Sequence, residues 1–389
     1  MKNGAAMLKN PVSFWFSPKT RFVLLLTSSL FGWIYVYCPC CFRLANADGP
    51  GSIATRFETS GRSPQTLDVA RIASTSAGRA DREVQIIFAG DIMLSDFAGE
   101  MIARGADPFA DFAPILRSAD AAIGNLECVV ATGGAAVEKP FTFRAHPQVL
   151  PVLARHFRYV SLANNHTGDF GHEAFLEQLD LLQRQQIACF GGGRNCAEAR
   201  TPYLLQLNGL KIALLGYNDF KPRSFEAGAR WPGVAWSVDE QVIADLEAAR
   251  TIHKADLVIP YMHWGDEHDP ANDRQKALAR LIIDHGADLV VGGHPHVTQG
   301  AEYYNGKLIV YSLGNFVFDG FDEGPARVGW LLRLRLNRQG LIAWDTVVSQ
   351  MDAHGIPHVM HDVASPAGKA GSNQVENRRA LVDSPLTRL

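Results

Sequence analysis

Six short apolar runs recur along this chain, and each stops at glycine or a small residue followed by side chains able to bind metal. The runs are Val84–Ala89, Ala121–Gly124, Tyr159–Ala163, Leu257–Met262, Leu289–Gly292 and Leu308–Leu313. Each has the length and composition of a strand buried on both faces. Behind them come Asp91, then Asn125 and Glu127, then Asn164, Asn165 and His166 with Asp169. Further on come His263 with Asp266 and Glu267, His294 and His296, and finally Ser312, Asn315 and Asp319. Singly, a Gly-Asp after a strand is an ordinary turn, Asn-Asn-His an ordinary capping loop and a strand-end histidine an ordinary core residue. Jointly they are not, because unrelated turns have no reason to keep supplying carboxylate, amide and imidazole where α/β folds place their sites. In Gly292-Gly-His-Pro-His296 the glycines and Pro295 favour a turn on which both imidazoles converge. Mixed ligands of this kind suit Mn, Fe or Zn, and a carboxylate between two ions fits two-metal hydrolysis.

Helices and hairpins fill the intervals. Gly171–Gln186 carries Phe175, Leu176, Leu179 and Leu182 at helical spacing, and Pro270–His285 has a stripe of Leu278, Leu281 and Ile282. Ser237 opens another helix, with Glu240 completing a capping box. Leu204–Gly216 reads as a hairpin turning at Asn208-Gly209, and Val328–Leu336 with Leu341–Val348 as a strand pair about Asn337–Gly340. Strands and helices in this order predict a layered α/β domain with two sheets.

The 389 residues are 47% hydrophobic and 20% charged, which places the chain in the globular class. A net charge of −3 and the lack of a Lys/Arg block give no nucleic-acid partner. At the N-terminus Lys2, Lys9, Lys19 and Arg21 precede the uncharged run Phe22–Phe42, followed by Ala45-Asn-Ala47. Residues 1–47 therefore read either as a cleaved signal peptide or as a retained signal-anchor. Either puts the rest outside the cytoplasm, membrane-held or secreted. Residues 48–82 read as a flexible linker, 83–362 as the folded domain and 363–389 as a disordered tail. Cys189 and Cys196 flank a glycine-rich loop that could close a short disulfide.

The motifs in their order resemble the capsule-synthesis CapA family, also called the poly-γ-glutamate biosynthesis (PgsA-like) family, similar in fold to calcineurin-like metallophosphatases. The matching residues are Gly90-Asp-Ile-Met-Leu94, Gly124-Asn-Leu-Glu127, Asn164-Asn-His166 with Asp169 and Gly171, and Phe143-Arg144 before Pro147. His263-Trp-Gly265 with Glu267, Gly293-His-Pro-His296 and Ser312–Asp319 complete the set. The resemblance covers about residues 85 to 350. It implies a four-layer α-β-β-α sandwich with one or two divalent ions. It also implies that Asp91 and His296 face one ion, that Asn165, His263 and His294 face the other, and that Glu127 lies between them. His166 takes the place of a catalytic histidine beside Asp91, while Arg144, Glu267 and Asn315 are candidates for contact with substrate. One departure matters: Met93 stands where metallophosphatases commonly carry a histidine ligand, and a thioether suits hard ions poorly.

Three functions fit. The first is capsule or poly-γ-glutamate synthesis or export, with an anionic polymer and membrane partners. The second is a metal-dependent phosphoesterase or envelope-polymer hydrolase. The third is a non-catalytic polymer-binding module. No Gly-x-x-x-x-Gly-Lys-Ser/Thr loop is present, so an ATP-using ligation would fall to a separate protein.

Overall fold

A computed structural model describes residues 83–379 apart from 322–323, 362 and 370–373. The signal or anchor reading of residues 1–47 and the linker reading of 48–82 both lie outside the described residues. In chain order the strands of the two main sheets are β1 (Val84–Ile92), β2 (Ala121–Leu126), β3 (Tyr159–Ser161), β4 (Ala188–Phe190), β5 (Tyr203–Leu207), β6 (Leu210–Asn218) and β7 (Leu257–His263). There follow β8 (Leu289–Gly293), β9 (Thr298–Tyr304), β10 (Lys307–Leu313), β11 (Asn315–Val317), β12 (Val328–Asn337), β13 (Gly340–Met351), β14 (Pro357–Val359), β15 (Ala364–Lys369) and β16 (Glu376–Arg379). The helices are α1 (Asp96–Ala103), α2 (Ala113–Arg117), α3 (Leu150–His156), α4 (Gly171–Arg184), α5 (Cys196–Arg200), α6 (Asp239–Thr251) and α7 (Asp273–Asp284).

They build a mixed α/β fold around two sheets. The larger has ten strands in the order β16-β15-β13-β12-β1-β2-β3-β4, with β11 beside β1 and β14 beside β13. The smaller has six, in the order β9-β10-β8-β7-β6-β5. Strand alternation explains the packing. Ile86 and Phe88 of β1 share an apolar cluster with Ile212, Ile259 and Val291 of the smaller sheet. Ile87 and Ala89 between them join the helix-side cluster containing Ile102, Leu153 and Phe175. On the smaller sheet Ala213, Val258 and Val290 pack against Leu246, Leu278 and Ile282 of α6 and α7. Burying a Leu- or Ile-sized side chain contributes about 1.5–3 kcal/mol each, so these three clusters dominate the stability.

Each sheet holds a run of parallel strands, whose carboxyl ends are the loops carrying the polar residues. In the larger sheet Asp91 is in register with Asn125 on one side and Asn315 on the other. In the smaller one His263 is in register with Asn218 and Gly293. The Asn208-Gly209 turn forms as expected, both residues having positive φ (48° and 80°).

Several local expectations differ from the structure. Ser237 does not cap α6; its hydroxyl is drawn to the Asp219 carboxylate, and Val238 precedes the helix without a side-chain cap. The helix read from Pro270 starts at Asp273, with Asn272 and Gln275 supplying a capping box. No disulfide joins Cys189 to Cys196. Residues 364–369 and 376–379 are strands rather than disordered tail. The open edge of β13 supplies the reason, since Ala343, Trp344 and Asp345 pair with Lys369, Gly368 and Ala367. Ser365 Oγ also donates to the Thr346 carbonyl at 2.8 Å, and Thr346 Oγ1 to that of Pro366 at 3.0 Å. Among the described residues no helix is long and apolar enough to cross a membrane.

Candidate metal centre

The strand ends of the two sheets meet in a cluster with almost no exposure. Asp91, Glu127, His263 and His294 are 0–1% exposed and His296 4%, although water is what such groups ordinarily need. His263 is the hub. Its Nε2 stands 2.7 Å from Asn165 Oδ1, 3.1 Å from His294 Nδ1 and 3.5 Å from Glu127 Oε1. An ion about 2.0–2.2 Å from each nitrogen and oxygen ligand holds those ligands about 3 Å apart, so this spacing fits one. Two overlapping sets, Glu127 with His294 and His296 and Asp91 with Glu127 and His263, each bring one ligand atom per residue within 4.8 Å of the others. Glu127 belongs to both.

The hydrogen bonds leave one carboxylate oxygen without a partner. Asn125 Nδ2 donates to Asp91 Oδ1 at 2.8 Å and to Glu127 Oε2 at 3.1 Å. Glu127 Oε1, fully buried, has no hydrogen-bond partner. A buried carboxylate oxygen left so costs stability unless a cation satisfies it. Burial, and then the neighbouring Asp91, push the Glu127 carboxyl well above its ordinary range. Burial and then the other imidazoles hold His263 and His294 well below theirs, so both are neutral, as metal ligands must be. The amide nitrogen of Asn125 also lies 3.2 Å from His263 Nδ1. A ligating His263 would keep its proton on Nδ1 and present the lone pair of Nε2.

The backbone is bent to serve the cluster. His294 and His296 both have positive φ, 94° and 58°, at residues that carry a Cβ. Each such conformation costs on the order of 1–3 kcal/mol and persists where surroundings impose it, commonly at working sites. The His294 amide donates to Asp91 Oδ2 at 3.2 Å, and a Cβ on Gly293 would stand 2.8 Å from Asp91 Oδ1. Only glycine lets the turn approach that carboxylate. His296 faces Asp91 at 3.5 Å through Nδ1, but Asn315 Oδ1 holds the same nitrogen at 2.8 Å.

Beside this cluster lies His166, whose Nδ1 is 2.7 Å from Asp169 Oδ2. Lys139 Nζ reaches Asp169 Oδ1 at 2.5 Å, the Asn165 carbonyl at 3.0 Å and His166 Nδ1 at 3.2 Å. Burial lowers the His166 pKa, with Asp169 working against the shift. Its proton therefore sits on Nδ1 toward Asp169, and Nε2 carries the lone pair.

The structure thus brings together Asp91, Glu127, Asn165, His263, His294 and His296, with His166 alongside. The candidates for substrate contact are placed differently. Asn315 is fully buried and orients His296, its own amide bonding the His296 and Ala326 carbonyls at 3.3 and 2.9 Å. Arg144 is exposed, donates to the carbonyls of Gly133 and Gly134 at 3.0 and 3.2 Å and lies 4.3 Å over Phe170. It is committed to its own loop. Glu267 is exposed beyond β7 and bears on the cluster through repulsion of Glu127. Met93 is 1% exposed in the helix-side apolar cluster. Sequence reasoning missed the bracing by Asn125 and Lys139. Asn125 had a signal in its strand-end position, whereas Lys139 lies in a loop without periodicity.

Residues 85–320 match the family described as bacterial capsule synthesis protein PGA_cap. The chain belongs to that family. It is 35% identical over 247 residues to the PGA biosynthesis protein CapA of Bacillus subtilis, covering 62% of this chain and 64% of that one. It is 32% identical over 255 residues to the capsule biosynthesis protein CapA of Bacillus anthracis, covering 62% and 61%. A probable polyglutamine synthesis accessory protein of Mycobacterium tuberculosis is 32% identical over 213 residues, 51% and 56% of the two chains. The chain therefore spans less than two thirds of the length of each of these relatives. A solved phosphatase from Mycoplasma pneumoniae is 14% identical with a TM-score of 0.44, over 69% of this chain and 93% of that one, too distant for chemistry to transfer.

Proposed function

We propose that this chain serves capsule or poly-γ-glutamate synthesis or export through a metal-dependent site at the meeting of its two sheets. The observation that carries the site is the orphaned Glu127 Oε1 facing His263 Nε2 at 3.5 Å, in a cluster too buried to be satisfied by water. The reading takes the helix-clad pair of sheets as the four-layer α-β-β-α arrangement of metallophosphatases. It puts the domain outside the cytoplasm, held by or released from residues 1–47, where an anionic polymer and membrane partners are at hand.

Asn165, His263, His294 and Glu127 would hold one divalent ion (Mn, Fe or Zn), and Asp91 and His296, with Glu127 shared, a second. Such an ion supplies a Lewis acid and, at neutral pH, an activated water. Asn125 keeps Asp91 and Glu127 apart and aimed. Asn315 fixes the ring of His296, as partners of ligating histidines commonly do. Asp169 and Lys139 fix His166 so that Nε2 can accept a proton and then deliver it to a leaving oxygen.

The test is to count bound metal per full-length chain and to follow hydrolysis of a generic phosphodiester and of poly-γ-glutamate, each with and without His263→Ala. The expected result is one tightly held ion, lost in the variant together with turnover. Metal-free protein sinks the site, and metal without turnover makes the domain a binding module.

A further inference from the structure

We infer that the ring-lined side of the cluster, from His166 to His296, carries a subsite for an uncharged apolar group, aryl or alkyl, attached directly to the anion the cluster holds. The inference rests on the metal-site reading above and narrows its substrate class. Four rings form a band from His166 to His296. Phe143 lies 4.3 Å from the His166 ring and meets Phe318 edge-on at 5.5 Å. Phe318 lies 4.8 Å from His296 and 5.3 Å from Phe321. Phe321 is 5.2 Å from His296 and 5.7 Å from His268. Phe318 is buried, Phe143 and Phe321 are half-buried, and His268 is exposed.

Rings at the edge of an apolar core are commonplace, but these pack on the imidazoles of the site itself. Partly open aromatic surface next to convergent polar groups is how small-ligand sites are lined. Charge points the same way. Glu267, one residue before His268, repels Glu127, and the ammonium of Lys139 is taken by Asp169 and the Asn165 carbonyl. An anion with one apolar substituent would lay it on the rings.

Full-length protein loaded with Mn²⁺ is titrated calorimetrically with methylphosphonate and with phenylphosphonate, which cannot be hydrolysed. Phenylphosphonate is expected to bind about tenfold tighter, the size of one good aromatic contact. Phe321→Ala should bring the ratio below about two with bound Mn²⁺ per chain unchanged, and Phe321→Leu should keep part of the preference. Equal affinities in the unaltered protein, or a ratio untouched by Phe321→Ala, overturn the subsite while leaving the metal centre standing. A chain that takes up none of Mn²⁺, Fe²⁺ and Zn²⁺ overturns the metal centre, and the subsite with it.

Discussion

The two halves of the cluster are unequally furnished. Around His263 Nε2 an amide oxygen, an imidazole nitrogen and a carboxylate oxygen stand 2.7, 3.1 and 3.5 Å away, all with lone pairs to give. On the other side His296 Nδ1 faces Asp91 at 3.5 Å but belongs to Asn315, and His296 Nε2 stands 3.9 Å from Glu127. Met93 packs among apolar neighbours and adds no ligand to this half. Affinity is therefore set by how many donors remain unspent after the protein's own hydrogen bonds are made, rather than by how many ligating residue types are nearby. The first half should hold its ion tightly and the second weakly.

The harshest way to break this comparison is His263→Ala. It should weaken the tighter ion by more than about 100-fold, the upper range for loss of a supporting group, read as metal per chain after dialysis. Retention of the ion would make the halves equivalent. Asp169→Asn should cut turnover by about 10–100-fold while leaving metal content alone, because Asp169 holds His166, Lys139 and the Phe143 amide but none of the ligand side chains. A parallel loss of metal would show that Asp169 belongs to the cluster. Asn315→Ala should weaken the second ion by about tenfold and spare the first, which a two-step metal titration separates. Met93→His should add no ion and cost about 1–3 kcal/mol in chemical unfolding, since it puts a polar ring into an apolar cluster. A gain of one ion would mean that the thioether was all that kept the halves apart.

The smallest effect concerns acid. His263 and His294 have folded-state values below the ordinary 6.5, so the unfolded chain takes up protons first as pH falls. Metal-free protein should melt at lower temperature at pH 5.5 than at pH 7.5. Added metal should lift the Tm at pH 7.5, where it binds the neutral imidazoles. A Tm equal at both pH values in chelator would mean that the imidazoles are more solvated than the structure has them.

Much of this was legible in the chain. Asp91, Glu127, Asn165, His263 and the pair at 294 and 296 stood out because a buried strand imposes a pattern and its end is where the pattern breaks. The larger helices were legible for the same reason. The short α1, α2, α3 and α5 were not, being five to eight residues long with too few turns to show a period. Nor were the directions in which Asn315 and Arg144 point, since motif position fixes a Cα but not what a side chain finds within reach. Strands β15 and β16 went unseen because their composition is that of a tail. Only the distant edge of β13, more than a dozen residues upstream, gives β15 something to pair with, and β15 in turn pairs with β16.

The left-handed backbone at His294 and His296 has one more consequence. Glycine or asparagine would adopt those dihedrals with less strain, and replacing His294 would also remove a buried imidazole from among its like. Evolution under heat alone, with metal withheld, should therefore strip these two positions early, and the lineages that best survive boiling should be the ones that have forgotten their cofactor.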